Sequence, residues 1–297
     1  MKKILSKLLP RQAKNFLKFL LRTPQRLGVL KKRISSGVVT KQAIVEGLKN
    51  LGVKKGCTIM VHSSLSSFGF VENGAGTVIE ALLETVGSDG NVCMPSFGPL
   101  EKNTFDVRST PTVLGKIADS FWRMPEAKRS LRPTHSVACI GRDSEFISEG
   151  HEKDLTPFTK NSPYFKMIEK NCLIVGLGAR MGRMLTASYV FEDRHLEDFP
   201  VKVYLDEPKE FVVIDSAGKK SRVRSLVHNT EIDSIRIDNE PRLEEKFERL
   251  LLRKGFLHKG KIGAAEIRII DARGMMKTLE DLLKSGKTIY ADETELD

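Results

Sequence analysis

Three short segments of this 297-residue chain bring hydroxyl, imidazole, guanidinium and carboxylate groups together. The first is Val61-His62-Ser63-Ser64-Leu65-Ser66-Ser67-Phe68-Gly69, with Gly74 and Gly76 close behind. A strand that ends in hydroxyls and amides ahead of a helix can hold phosphate oxygens through backbone N–H groups and the helix dipole. The same pattern also describes a plain capped turn. It carries no G-K-[ST] and no G-x-G-x-x-G, so it is neither a Walker loop nor a dinucleotide fingerprint. The second segment is Arg129-Ser130-Leu131-Arg132-Pro133-Thr134-His135-Ser136. Its arginines suit phosphates and His135 suits a general base, although a lone histidine also serves as core packing. The third follows Gly176-Leu177-Gly178 and runs from Thr186 through Tyr189, Glu192 and Asp193 to His195. Glu192 could orient a histidine, bind an amine or close a salt bridge at a helix end.

The elements that must carry these segments are legible from the apolar periodicity. Thr40 caps a helix through Lys49 that closes around Gly52. Residues 57–61 read as a buried strand leading into His62. A helix over 77–85 is stopped by Gly87, a strand covers 91–94 and a helix covers 114–123. Short strands follow at 136–140 and 172–175. Near-continuous apolar strands alternating with helices imply an α/β fold with the sheet covered on both faces. The C-terminal third predicts a hairpin, 210–215 with 222–227 around Ser216-Ala217-Gly218, then helices near 242–254 and 271–284.

The formal net charge of +11 comes from 49 Lys+Arg against 38 Asp+Glu. Twelve of the basic residues lie in residues 1–45, and the first acidic residue is Glu46. The body from residue 46 therefore holds 37 basic and 38 acidic side chains and is close to neutral. A basic tail on a neutral body argues against a nucleic-acid-binding domain, whose basic footprint belongs on the folded part. The tail, residues 1–35, reads as a basic amphipathic extension, and residues 36–297 as one domain. Lys3, Lys7, Arg11, Lys14, Lys18, Arg22 and Arg26 form a helical stripe, with Phe16, Leu17, Leu20 and Leu21 mainly off it. Residues 1–33 suit peripheral contact with an anionic membrane surface. They equally suit docking on their own domain or on a second copy in a homo-oligomer. No apolar run reaches the length of a membrane span, and no signal-peptide pattern is complete. The expected location is cytoplasmic, with the inner membrane face as the place of any lipid contact. Cys57, Cys93, Cys139 and Cys172 stand in separate apolar runs with no C-x-x-C. They read as buried free thiols, and no metal site is expected.

Taken in order, the motifs resemble one family. The V-H-S-S-L-S-S loop is followed by N-G-A-G-T-V-I, by M-P-S-F at 94–97 and by T-P-T-V-L-G-K-I-A at 110–118. Then come R-S-x-R-P-x-H-S from Arg129 and P-F-T-x-x-S-P from Pro157. The stretch from about residue 37 to 285 is similar to the aminoglycoside 3-N-acetyltransferases, which are acyl-CoA-dependent N-acyltransferases. The resemblance implies a three-layer α/β/α architecture with a mixed central sheet, to which the C-terminal hairpin and helices are added. It implies acyl-CoA as co-substrate, an amino sugar as acceptor and no metal. By similarity His62, Ser63, Ser64, Leu65, Ser66, Arg129 and Ser130 would meet the coenzyme. His135 would act as base or proton relay, and Glu192 would orient the histidine or hold the sugar ammonium.

Two departures shape the expected acceptor. Family members usually carry T-x-x-H-x-x-E in the third segment, whereas Tyr189 stands here for the histidine. A tyrosine, with an ordinary pKa near ~10, is a poor base at neutral pH. Arg132 replaces a histidine before Pro133 and adds a cation suited to an anionic acceptor. Tyr189 and Arg132 are thus expected at the acceptor. Together they point to a nucleotide-linked amino-deoxysugar of surface polysaccharide synthesis. True aminoglycoside 3-N-acetylation, with antibiotic resistance, is the alternative, and a non-catalytic, membrane-recruited binding protein is a third reading.

Overall fold

The computed structural model describes residues 37–99, 103–199, 201–237 and 239–290, with the side chains of residues 233 and 234 excepted. The basic segment 1–33, and the expectations placed on it, lie outside the described residues. Among those residues no helix is long and apolar enough to cross a membrane.

The chain enters through β1 (Val38–Val39), which pairs in parallel with β3 (Phe70–Val71). Helix α1 (Lys41–Asn50) starts where expected, because the Thr40 hydroxyl accepts the Ala43 amide at 3.2 Å. A seven-stranded sheet then forms from β2 (Thr58–Ser63), β4 (Asn91–Pro95), β6 (Lys128–Arg129), β7 (Val137–Gly141), β8 (Leu173–Leu177), β11 (Leu257–Ile262) and β12 (Ala265–Asp271). Its order is β11-β12-β8-β2-β4-β7-β6. The three central strands β8, β2 and β4 are parallel, while the strands on either flank run antiparallel. The sheet is therefore mixed, as the resemblance implies.

Helices cover both faces because alternate strand residues point to opposite sides. Ile59, Val61, Val175 and Leu177 join one core with α1, α2 (Ala75–Val86) and α3 (Lys116–Trp122). Met60, Cys93 and Ile174 join the other with α5 (Pro163–Glu169), α7 (Pro241–Arg253) and α8 (Ala272–Lys284). Helices α4 (Ser144–Ser148) and α6 (Tyr189–Arg194) complete that second layer. The four cysteines are free, Cys57 being only partly buried, and Cys93 faces Cys139 across the β4–β7 pair.

The expected hairpin is β9 (Lys209–Ile214) with β10 (Lys220–Ser225). It does not extend the main sheet. It pairs with β5 (Thr104–Asp106) around a small core of Phe105, Val107, Val213 and Val223. Two buried arginines tie this satellite sheet and its neighbouring loops to the body. Arg129 donates to Ser96 Oγ, Val107 O, Thr110 O and Ser96 O, and its guanidinium stacks on Phe105 and Trp122 at 4.7 and 4.3 Å. Arg132, completely buried, donates to Thr134 Oγ1, His151 O, Asp154 O, Leu155 O and Ser225 Oγ.

Candidate active site

In open α/β sheets ligands gather outside the carboxyl ends of the parallel strands, where the strand order reverses. Here the chain builds β2, adds β4 on one side and later adds β8 on the other. The reversal therefore lies at the carboxyl ends of β2 and β8. His62 pairs with Gly176 and Ser63 with Leu177 in this region, and the Ser64 amide donates to Leu177 O at 2.9 Å. The start of antiparallel β7 comes to the same edge, since Pro95 pairs with Val137 and the Ser96 amide donates to Ser136 O at 2.7 Å. His62, the serine loop and His135, far apart in sequence, thus share one edge of the sheet.

The serine loop is a 3-10 turn, Leu65–Phe68. The Ser67 hydroxyl donates to Ser64 Oγ at 2.9 Å or Gly178 O at 3.1 Å, and Ser64 and Ser66 hydroxyls are 3.4 Å apart. Gly178 is required: its φ is +68°, and a β-carbon there would stand 2.3 Å from Ser67 Cβ. The leading amides of such a turn precede its internal hydrogen bonding, so Leu65 and Ser66 N–H groups suit an anion together with the hydroxyls.

His135 has a left-handed backbone, φ 57°, and is half-buried. Its ring is wedged among Phe97, Phe158 and Tyr189 at centroid distances of 5.4, 4.8 and 5.9 Å. Nδ1 is buried with no hydrogen-bond partner. Burial, helped by the charges of His228 and Arg132, depresses its pKa to about 3. His62 carries an unpartnered buried Nε2, and burial lowers its pKa to about 4. Both imidazoles are neutral at pH 7 and hold a lone pair for a proton.

Tyr189 is clamped on both sides. Phe158 stacks on it at 4.9 Å and 21°, and the Arg236 guanidinium lies 4.1 Å from its ring centre. His228 meets it in a T-shaped contact at 4.9 Å. Glu192 is fully buried and pairs with Arg236, which also donates to Ser188 Oγ at 2.7 Å, while the Tyr290 hydroxyl donates to Glu192 Oε2.

A family profile described as aminoglycoside 3-N-acetyltransferase matches residues 60–284. The chain belongs to this acyltransferase family. It is 35% identical over 164 residues to the SPbeta prophage-derived aminoglycoside N(3')-acetyltransferase-like protein YokD of Bacillus subtilis (strain 168). That match spans 47% of this chain and 60% of the relative's own length. It is 28% identical over 242 residues to aminoglycoside N(3)-acetyltransferase IV of Salmonella sp, covering 80% of this chain and 85% of that protein. The solved structure of AAC-IIIb with CoASH shares the fold, with a TM-score of 0.70 at 22% identity over 85% of this chain and 98% of that one.

Within the acetyltransferase fold several expectations need correction. Arg129 was expected near coenzyme phosphates, yet four of its five N–H donors go to a serine hydroxyl and backbone carbonyls. Ser130 was expected beside it and is also consumed. His151 Nε2 faces the Pro157 carbonyl, which can only accept, so Nε2 carries the proton. Nδ1 is then an acceptor for the Ser130 hydroxyl at 2.9 Å, and Ser130 Oγ itself accepts the Val137 amide at 3.0 Å. Arg132 was expected to face an anionic acceptor, but all five of its N–H donors are engaged inside the protein. Glu192 does not orient His135 through Nδ1, which has no partner. It pairs with Arg236, whose guanidinium lies over the ring of Tyr189, and Tyr189 in turn meets the His135 ring. The sequence reading missed His151, His228, Arg236 and Tyr290. No local motif marks them, since each gains its role from a partner distant in the chain.

Proposed function

We propose that this acyltransferase moves an acetyl or similar short acyl group from acyl-CoA to an amine of an aminoglycoside. The observation that carries the reading is a neutral, half-buried His135 at the carboxyl edge of the sheet that also presents the serine loop. His62, Ser63, Ser64, Leu65 and Ser66 would hold the coenzyme through hydroxyls and leading amides, and a structural neighbour, AAC-IIIb, has been solved as a binary complex with CoASH. His135 would accept the proton that the amine loses as its nitrogen attacks the thioester carbon. The carbon–sulfur bond then breaks, and the departing thiolate is the final proton acceptor. Tyr189 would sit at the acceptor as a clamped edge, and Glu192 would hold Arg236 against it.

The aminoglycoside acceptor is supported by relatives such as the Salmonella sp enzyme, named an aminoglycoside N(3)-acetyltransferase. The nucleotide-linked sugar rested on Tyr189 in place of a histidine and on Arg132 as an available cation, and with Arg132 enclosed the second of these supports is gone. Coenzyme release from acetyl-CoA, measured across an aminoglycoside panel and a nucleotide amino-sugar panel, tests the reading. Turnover of aminoglycosides is expected. Turnover confined to nucleotide sugars would overturn the acceptor, and absence of both turnover and coenzyme A binding would favour the non-catalytic reading.

A further inference from the structure

The two-stranded β1–β3 sheet leaves an apolar pair without a cover among the described residues. Val39 and Val71 point inward and are buried, so their neighbours Val38 and Phe70, paired side by side, point out. Val38 is 58% exposed and Phe70 is 51% exposed. Adjacent exposed apolar side chains gain from being covered by another apolar surface.

The ground around this pair is acidic. The Glu72 amide donates to Val39 O at 3.1 Å, which sets Glu72 beside β1. Glu84 pairs with Lys41 at 2.9 Å, and Glu80, one turn earlier on α2, acts on the same ammonium. All three carboxylates are exposed, and Lys41, three residues after Val38, is the partner of Glu84. This patch lies where the chain enters the fold. The segment that arrives there, residues 1–36, carries Lys and Arg throughout and no Asp or Glu, together with Phe16, Leu17, Leu20 and Leu21. Only Ile34–Gly37 separate Arg33 from Val38, so docking is intramolecular and benefits from a high effective concentration. The same carboxylates would repel an anionic lipid surface brought up to this face.

We infer that residues 1–33 dock on their own domain, their apolar side chains covering Val38 and Phe70 and their cations facing Glu72, Glu80 and Glu84. The inference is independent of the catalytic reading. The test uses the full chain with a photo-crosslinking amino acid in place of Phe70, and tryptic cleavage within residues 1–33 as a second readout. The expected results are an intramolecular crosslink to a peptide from residues 1–33, and cleavage about 10-fold slower than in a Glu72→Lys, Glu80→Lys, Glu84→Lys variant, because protection tracks the closed population. High salt should remove the protection in the parent chain, since exposed charges are screened. Crosslinks only between two molecules would assign the face to a second copy and overturn the inference. Equal cleavage in parent and variant, with co-sedimentation of the full chain on phosphatidylcholine–phosphatidylserine vesicles, would overturn it in favour of lipid. Equal cleavage without vesicle binding would overturn it outright.

Discussion

Replacing Arg132 by leucine separates a structural role from a substrate role more sharply than any other substitution. The guanidinium is completely buried and reaches three carbonyls, His151 O, Asp154 O and Leu155 O, at 2.7 to 2.9 Å, plus two hydroxyls. Hydrogen bonds to a charged donor contribute about 1.5–3 kcal/mol each, and a buried acceptor left unmade costs about 1–3 kcal/mol. Part of the 154–155 backbone can turn to water after the loss, so the net destabilisation is set at about 3–5 kcal/mol. With about 2.1 cal/mol/K per residue of unfolding entropy over roughly 250 ordered residues, that shift lowers Tm by about 6–10 °C. Calorimetry or urea denaturation reads it directly. Burial brings the Arg132 pKa down only to about 10, so the cation persists at pH 7 and the penalty should not vary between pH 6 and 8. An Arg132→Leu protein within about 1 kcal/mol of the parent, with KM for the acceptor sharply raised, would refute the reasoning. It would return Arg132 to the acceptor site.

His135→Ala should keep the fold and lower turnover by about 10²–10⁴-fold, the range of a lost general base, checked by coenzyme release against a Tm control. His62 and His135 have pKa values depressed to about 4 and about 3, so the unfolded chain protonates first. Stability is complete above about pH 6.5 and falls as pH drops toward 4, by about 1.4 kcal/mol per pH unit for each histidine. His62→Gln should flatten the Tm-against-pH slope, and an unchanged slope counts against its burial as a neutral ring. Gly178→Ala forces a β-carbon against Ser67 at a positive φ, so it should cost about 1–3 kcal/mol and weaken coenzyme A binding, measured by scanning and titration calorimetry. Glu192→Gln removes the buried carboxylate that Arg236 pairs with and should destabilise by about 3–5 kcal/mol. A chemical-denaturation midpoint unmoved by that change would contradict the pairing.

Much of the fold was legible because its signals are local. The Thr40 cap, the apolar run ending at His62 and the stop at Gly87 act within a few residues of themselves. The 210–227 hairpin was legible as a hairpin but not as a satellite sheet, because its third strand, β5, lies about a hundred residues earlier. The β11–β12 hairpin, which edges the main sheet, gave no signal strong enough to be drawn from the pattern. Residue type was least informative where a side chain's hydrogen bonds are spent inside the protein. In sequence Arg129, Ser130 and Arg132 look like a phosphate grip, and only partners 19 to 93 residues away show that they are internal ties.

Sequence alone determined the charged tail on a neutral body, the α/β pattern of the core and the family, since ordered motifs survive without coordinates. Tertiary structure alone decided which polar groups face outward. Desolvation and hydrogen-bond saturation depend on neighbours that chain order does not list. Hence His135 emerges with an unpartnered nitrogen in an aromatic wedge, while the two arginines beside it in the sequence disappear into the scaffold.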